Sequence, residues 1–137
     1  MTQSMHEKVQ MQLYDLLDTT KYELSELNQN KALVINGPDS KLIQRGFDIA
    51  YYQGQKKALD TIDTLLNTYS DTDTFLAHYE TYAANYSTEY QDLLSKFDRL
   101  SEPTDDFEHF IAQYYQLKGQ IHVIHTIRTT IHHDKEV

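Results

Sequence analysis

The histidines in the last third of the chain are the first residues that could do chemistry, because imidazole binds metal ions and carries protons near neutral pH. His109, His122, His125, His132 and His133 all fall within one predicted helix. His122 and His125 are three residues apart and share a helix surface, whereas His132 lies two turns beyond His125, too far to share one ion. No H-E-x-x-H or paired E-x-x-H pattern supplies further ligands. We therefore interpret these histidines as structural or surface residues, and His122 and His125 are the candidates for a metal site.

Two pairs of acidic residues could hold Mg²⁺ for phosphate chemistry. Glu23 and Glu26 flank the apolar stripe of the first predicted helix, and Glu89 and Asp92 flank that of the third. Pairs of this kind resemble those of the all-α nucleotide pyrophosphohydrolases, and that resemblance implies a Mg²⁺-dependent enzyme whose four carboxylates meet in one pocket. The gap between the pairs is much longer than that family's helix-to-helix spacing, and the flanking residues do not match. Solvent-exposed carboxylates are the preferred interpretation.

A third acidic group, Asp105, Asp106 and Glu108 beside His109, stands at the start of the fourth predicted helix. Acids are favoured there because the helix dipole is positive at its N-terminus, so helix stabilisation is the preferred account. The chain has no Cys, which excludes thiolate catalysis and thiolate metal sites. No P-loop, G-x-G-x-x-G or G-x-S-x-G motif occurs. The motifs therefore predict neither an enzyme nor a cofactor.

The eleven tyrosines are the best functional signal in the sequence. Tyr79, Tyr82, Tyr86 and Tyr90 follow one stripe of the third predicted helix. Tyrosine suits both the edge of a core and a protein interface, because its ring is apolar and its hydroxyl needs a polar partner. A tyrosine-lined core and a tyrosine-rich interface are both open, and these four residues are candidate interface residues.

Long amphipathic helices must position these side chains. Apolar residues at steps of three and four predict helices at about residues 3–33, 40–69, 73–100 and 104–133. The breaks between them contain turn and cap residues such as Gly37-Pro38 and Ser70-Asp71. The third helix alternates steps of four and three without a break, as in a coiled-coil seam. We predict an all-α fold, an elongated antiparallel bundle of about four long helices in a single domain spanning 1–137.

A row of small residues lies inside the second predicted helix. Gly46, Ala50, Gly54 and Ala58 recur every four residues. Each glycine within a helix costs on the order of 1 kcal/mol relative to alanine, so a compensating contact is expected. The row predicts a close crossing with another helix, in the same chain or in a second copy, and these four residues are candidate interface residues.

Composition and charge exclude several classes of protein. Twelve Lys and Arg against 21 Asp and Glu give a formal net charge of −9, which disfavours direct binding to nucleic acid or to an anionic membrane surface. No apolar run approaches the roughly 18 residues that a membrane span needs, and the first residues lack the apolar stretch of a signal peptide. These features predict a cytoplasmic protein.

The sequence favours a non-enzymatic protein that acts by association, with a protein partner that is expected to be a second copy. The small-residue row and the third-helix seam are the predicted contact faces. A first alternative is a small acidic inhibitor of a basic nucleic-acid-handling protein, of the kind that phages encode against host defence. The second alternative is the Mg²⁺-dependent enzyme resembling the nucleotide pyrophosphohydrolases.

Overall fold

The computed structural model describes residues 4–29, 35–97 and 105–135, and its regular structure within these ranges is entirely helical. The four long helices are α1 (Met5–Gln29), α2 (Asp39–Thr68), α3 (Thr72–Phe97) and α4 (Asp105–Lys135). They pack against one another, which confirms the predicted all-α bundle. Where the predicted end is a described residue, the helix ends agree with the prediction to within two residues; the predicted ends at 3, 33, 100 and 104 lie outside the described residues.

Local side-chain chemistry accounts for where two of these helices begin. The Ser4 hydroxyl accepts a hydrogen bond from the Glu7 backbone N–H at 3.2 Å, which caps α1. The Asp71 carboxylate accepts bonds from the Thr74 backbone N–H at 3.0 Å and from the Thr74 hydroxyl at 2.8 Å, which caps α3. These hydrogen bonds hold the pKa of Asp71 below its ordinary value. Both caps satisfy backbone donors that a helix start leaves unpaired.

Contacts along the helices show that sequential neighbours run antiparallel. Between α1 and α2, the start of one meets the end of the other, since His6 Nε2 lies 2.9 Å from the Tyr69 carbonyl oxygen. At the opposite end, Arg45 Nε donates to the Leu27 carbonyl at 2.8 Å. Tyr79 likewise bonds to the Ile124 carbonyl between α3 and α4. Helices α2 and α4 therefore run parallel, as the two members of a diagonal in an up-down-up-down bundle.

The closest backbone approach described between two helices is that of α2 and α4. A Cβ atom added to Gly54 of α2 would lie 1.9 Å from the Gln116 carbonyl oxygen of α4. A Cβ atom added to Gly119 of α4 would lie 1.9 Å from the Tyr51 carbonyl oxygen of α2. Each glycine thus admits the backbone of the other helix. The close crossing predicted from the small-residue row is confirmed at Gly54, and its partner lies in the same chain.

The core forms around this pair. Helices α1 and α3 each pack against both α2 and α4. The buried residues come from all four helices and are mostly aliphatic, with two aromatic rings from α3: Met5, Val9, Leu13, Ala58, Leu59, Ile62, Leu66, Phe75, Tyr79, Ala83, Val123, Ile124, Ile127 and Ile131. Burial of these apolar side chains is the main stabilising contribution, at about 25 cal/mol per Å² removed from water.

A small polar layer crosses the core beside the glycine contact. The Thr20 hydroxyl of α1 donates to the Gln55 side-chain oxygen of α2 at 2.9 Å, and both residues are buried. Gln120 of α4 is also buried. Such a bond fixes which turn of α1 faces α2, because a shift by one turn leaves both polar groups unpaired in an apolar environment.

None of the described helices is long and apolar enough to cross a membrane.

The two interior glycines of α2 predict opposite responses to the same substitution. Gly54→Ala forces the two backbones apart, and we expect it to lower the free energy of unfolding by at least about 2 kcal/mol. A Cβ atom on Gly46 has no atom within 4 Å in the part of the chain that the structure describes. Gly46→Ala is therefore expected to raise the free energy of unfolding by up to about 1 kcal/mol through helix propensity alone. Urea unfolding of dilute samples, followed by circular dichroism, measures both, and equal effects would contradict the crossing.

Candidate interaction surfaces

The small-residue row of α2 divides into a covered part and an open part. Gly54 and Ala58 are buried within the chain, and Ala50 is buried beside them. Gly46 is exposed, and none of the residues that the structure describes lies within 4 Å of a Cβ atom added to it. Gly54 and Ala58 thus belong to the intramolecular crossing, and Gly46 is the member of the row that a second molecule can reach.

An apolar groove lies beside Gly46, between the N-terminal halves of α2 and α4. Its volume is about 480 Å³. We call it the Gly46 groove, and its principal lining residues are Leu42, Ile43, Gly46, Phe47, Ile111 and Ala112. Among the residues that the structure describes, no charged side chain lines this groove. Ile43 stands at its edge with 58% of its surface exposed, and Phe47 stacks on Tyr115 of α4 with ring centroids 4.6 Å apart.

The tyrosines of α3 pass from the core to the surface along the helix. Tyr79 is completely buried, which makes it a core residue in this chain and removes it from any exposed interface. Tyr82 and Tyr86 are half-buried and pack edge to face, with ring centroids 4.7 Å apart. Tyr90 is half-buried and stacks on Tyr114 of α4. The inward positions of the predicted seam are occupied, so the accessible tyrosine surface lies towards Tyr90.

Burial changes the acidity of the inner tyrosines. Removal of the Tyr79 hydroxyl from water raises its pKa well above the ordinary value, and the positive charge of Arg128 offsets this only in part. Burial also raises the pKa of Tyr82, and the neighbouring Tyr86 raises it further. Both hydroxyls therefore stay protonated in the folded chain at pH values where an exposed tyrosine ionises.

The histidines of α4 contribute to a second groove, which lies between α3 and α4 and has a volume of about 600 Å³. Four basic residues of α4 line it, at steps of four, three and three: Lys118, His122, His125 and Arg128. Tyr51 of α2 and Tyr90 of α3 line it as well. We call it the Lys118 groove. No carboxylate is among its lining residues.

Both candidate metal ligands lie in the Lys118 groove. His122 and His125 both line it and are exposed, but a lysine and an arginine share the same surface. Two fixed positive charges repel a metal cation. Among the described residues, no group of three or more histidines and carboxylates is placed to hold one. The arrangement is suited to an anion.

The paired carboxylates are not brought together. Glu23 and Glu26 line a shallow groove between α1 and α2 that also contains Lys41, Arg45 and Asp48. Glu89 and Asp92 are exposed on α3 and do not line that groove. The convergence that the pyrophosphohydrolase alternative requires is thus not found among these four residues. His109 is exposed, and the side chains of Asp105, Asp106 and Glu108 lie outside the described residues.

Sequence reasoning missed the residues that complete both grooves. The interpretation of the histidines does not include Lys118, although Lys118, Arg128, His122 and His125 share one helical stripe of α4. Ile43 and Ile111 are not among the candidate interface residues, yet both line the Gly46 groove. Helical periodicity shows which residues share one face of a helix. Which of these faces remains exposed depends on how the neighbouring helices pack.

In comparisons with known proteins, no family model, no curated protein and no solved structure matches this chain. The function is therefore inferred from the residues that line the two grooves.

The raised pKa values predict the alkaline behaviour of the fold. The folded chain keeps protons on Tyr79 and Tyr82 that the unfolded chain releases above its tyrosine pKa of about 10, so unfolding releases protons there. The free energy of unfolding should fall above pH 10 by up to about 1.4 kcal/mol per pH unit for each tyrosine. The double variant Tyr79→Phe with Tyr82→Phe should flatten this slope.

Urea unfolding at several pH values between 9 and 11.5 measures the slope. Tyr22→Phe is the matched control, because Tyr22 is 62% exposed and its substitution should leave the slope unchanged. A double variant with the slope of the parent chain would contradict the assignment of the alkaline transition to these two hydroxyls.

Proposed function

We propose that this chain acts by association rather than by catalysis, and that its first partner is a second copy, bound through the Gly46 groove. The observation that carries the proposal is an exposed glycine in the N-terminal third of a long helix, in the lining of an apolar groove. The proposal agrees with the sequence-based expectation of a self-associating interaction protein and narrows its contact face to one end of the bundle.

The energetic argument starts from the cost of Gly46. A glycine inside a helix is less favourable than alanine by about 1 kcal/mol, and Gly54 and Gly119 offset that cost by admitting another backbone. Within the described ranges, Gly46 has no such contact. A second helix laid over Gly46 would supply one, in the manner that α4 supplies one at Gly54.

The groove is complementary to itself. Ile43 projects into solvent, and Gly46 leaves a hollow one turn further along the same helix. In a dimer with a two-fold axis near these residues, Ile43 of each copy would pack into the hollow at Gly46 of the other copy. The same contact would therefore occur twice in the dimer. Burial of the exposed apolar lining on both sides supplies the driving force.

Electrostatics distinguishes this partner from the alternative. Two copies with a formal charge of −9 each repel one another, while none of the described residues that line the Gly46 groove is charged. Added salt screens the repulsion and should strengthen self-association. The acidic inhibitor of a basic nucleic-acid-handling protein has only the net charge and the small size in its favour, and its binding would weaken with salt. Whether added salt strengthens or weakens binding therefore distinguishes self-association from binding to a basic partner.

The test is a comparison of two charge substitutions of equal size. Ile43→Glu places a carboxylate in the proposed interface, and Tyr22→Glu places one at a similarly exposed apolar position of α1. Analytical ultracentrifugation should give a dimer for the parent chain and for Tyr22→Glu, and a monomer for Ile43→Glu, with a Kd raised at least about 100-fold by the buried unpaired charge. A dimer that survives Ile43→Glu, or a parent chain that stays monomeric at 100 mM and 500 mM salt, would refute the proposal.

A second substitution separates loss of the interface from loss of the fold. Gly46→Leu fills the hollow, and a Cβ atom at this position meets none of the described residues within 4 Å. Because leucine favours a helix more than glycine does, the variant should melt at or above the temperature of the dilute parent chain and yet fail to dimerise. If Gly46→Leu dimerises as the parent chain does, the close approach at Gly46 is not the contact.

A further inference from the structure

The Lys118 groove stands out by its charge. The chain carries 21 acidic residues against 12 lysines and arginines, yet this groove has one lysine, one arginine, two histidines and no carboxylate among its lining residues. A concave surface whose sign is opposite to that of the whole protein concentrates anions locally against the averaged field. The groove lies on the α3 side of α4, apart from the Gly46 groove, so it is independent of the proposed dimer contact.

The basic residues are arranged for an extended anion. The basic residues lie between Lys118 and Arg128, which are ten positions apart on α4 and therefore about 15 Å apart along the helix axis. Lys118 Nζ lies 4.9 Å from the centroid of the Tyr114 ring and 5.9 Å from that of Tyr115, so its ammonium group is held at one end. A hydrogen bond with Tyr114 raises the pKa of Lys118, which keeps it charged.

At the other end, Arg128 is shared with a carboxylate. Its guanidinium lies 3.2 Å from Glu80 Oε2 of α3, and both side chains are partly exposed. An exposed ion pair contributes little to stability, so the guanidinium can turn to a stronger anion at small cost. Glu80 therefore weakens the positive potential at this end of the groove without removing it.

The remaining walls are suited to a planar ring. Tyr51 and Tyr90 are half-buried and contribute aromatic surface, and the Tyr51 ring centroid lies 6.3 Å from that of His122. Ser87 and Gln91 of α3 add hydroxyl and amide groups that can hydrogen-bond to the edge of a heterocycle. A volume of about 600 Å³ is within the range of small-molecule pockets.

We propose that the Lys118 groove binds a nucleotide-sized phosphate ester, with the phosphates against the basic stripe of α4 and the planar ring against Tyr51 and Tyr90. The binding requires both halves of the ligand, because the charge supplies the attraction and the aromatic walls supply the orientation.

The test uses ADP as the probe, with adenosine and pyrophosphate as the two halves, in isothermal titration calorimetry at 50 mM salt. ADP should bind, and each half should bind at least about tenfold more weakly. A hexaglutamate peptide is the fourth probe. If the peptide binds and ADP does not, the groove accepts an acidic segment of a protein, and the proposal is wrong. Equal affinity for ADP and pyrophosphate would also overturn it, because the ring would then contribute nothing.

Three variants locate the site. Lys118→Gln removes a groove charge and should weaken ADP binding about tenfold, whereas Lys56→Gln makes the same change on an exposed lysine of α2 outside the groove and should not. Glu80→Gln frees Arg128 and should tighten ADP binding several-fold, a gain that damage to the fold cannot produce. Equal losses for both lysine variants, or no gain for Glu80→Gln, would refute the assignment to this groove.

Discussion

The mutual contact of Gly54 and Gly119 is the constraint on which the rest of the structure depends. Each glycine lies against the backbone of the opposite helix, so α2 and α4 approach as closely as two helices can. In a bundle of alternating direction these two helices are diagonal partners, and a regular square arrangement keeps diagonal partners apart. The glycines shorten that diagonal. As a result α1 and α3 each rest against both members of the central pair.

This short diagonal also explains why two grooves remain. Helices that cross at one point diverge on either side of it, because straight cylinders at an angle cannot stay in contact along their length. On the side towards Gly46 the gap between α2 and α4 is lined by apolar residues, and it becomes the Gly46 groove. On the face towards α3, the stripe of α4 that follows Lys118 is left uncovered next to Tyr51. The close contact between α2 and α4 at the glycines thus leaves both the apolar Gly46 groove and the basic Lys118 groove beside the same pair of helices.

Much of the fold could be predicted because its signals are local. Helical periodicity gave four helices, and turn and cap residues such as Asp71 marked their ends. The spacing of glycines in α2 predicted a close crossing, and the steps along α3 predicted a seam that has Tyr79 and Ala83 at its buried positions. Each of these follows from residues within a few turns of one another.

The sites could not be predicted to the same degree, because they depend on contacts between distant segments. The row from Gly46 to Ala58 looks uniform in sequence, but Gly54 lies against the α4 backbone, whereas Gly46 is exposed. The sequence offers His122 and His125 only as candidate metal ligands beside a structural interpretation, and the structure adds Lys118 and Arg128 to the same groove. The net charge of a groove depends on side chains from several helices. The pattern of one helix is therefore not enough to predict it.

Chemical crosslinking tests the intramolecular pairing of α2 and α4 most directly, and because the chain has no native Cys, only introduced thiols react. The Gln53 and Gln116 side chains approach to 3.4 Å, so a short bismaleimide should join the two thiols of the variant with Gln53→Cys and Gln116→Cys within one chain. The control, Gln53→Cys with Thr129→Cys, moves one thiol about 20 Å along α4 and should not be joined within the chain. Denaturing electrophoresis of dilute protein should give a crosslinked monomer of altered mobility for the first pair. A link between chains, or a link in the control alone, would contradict the glycine-mediated crossing.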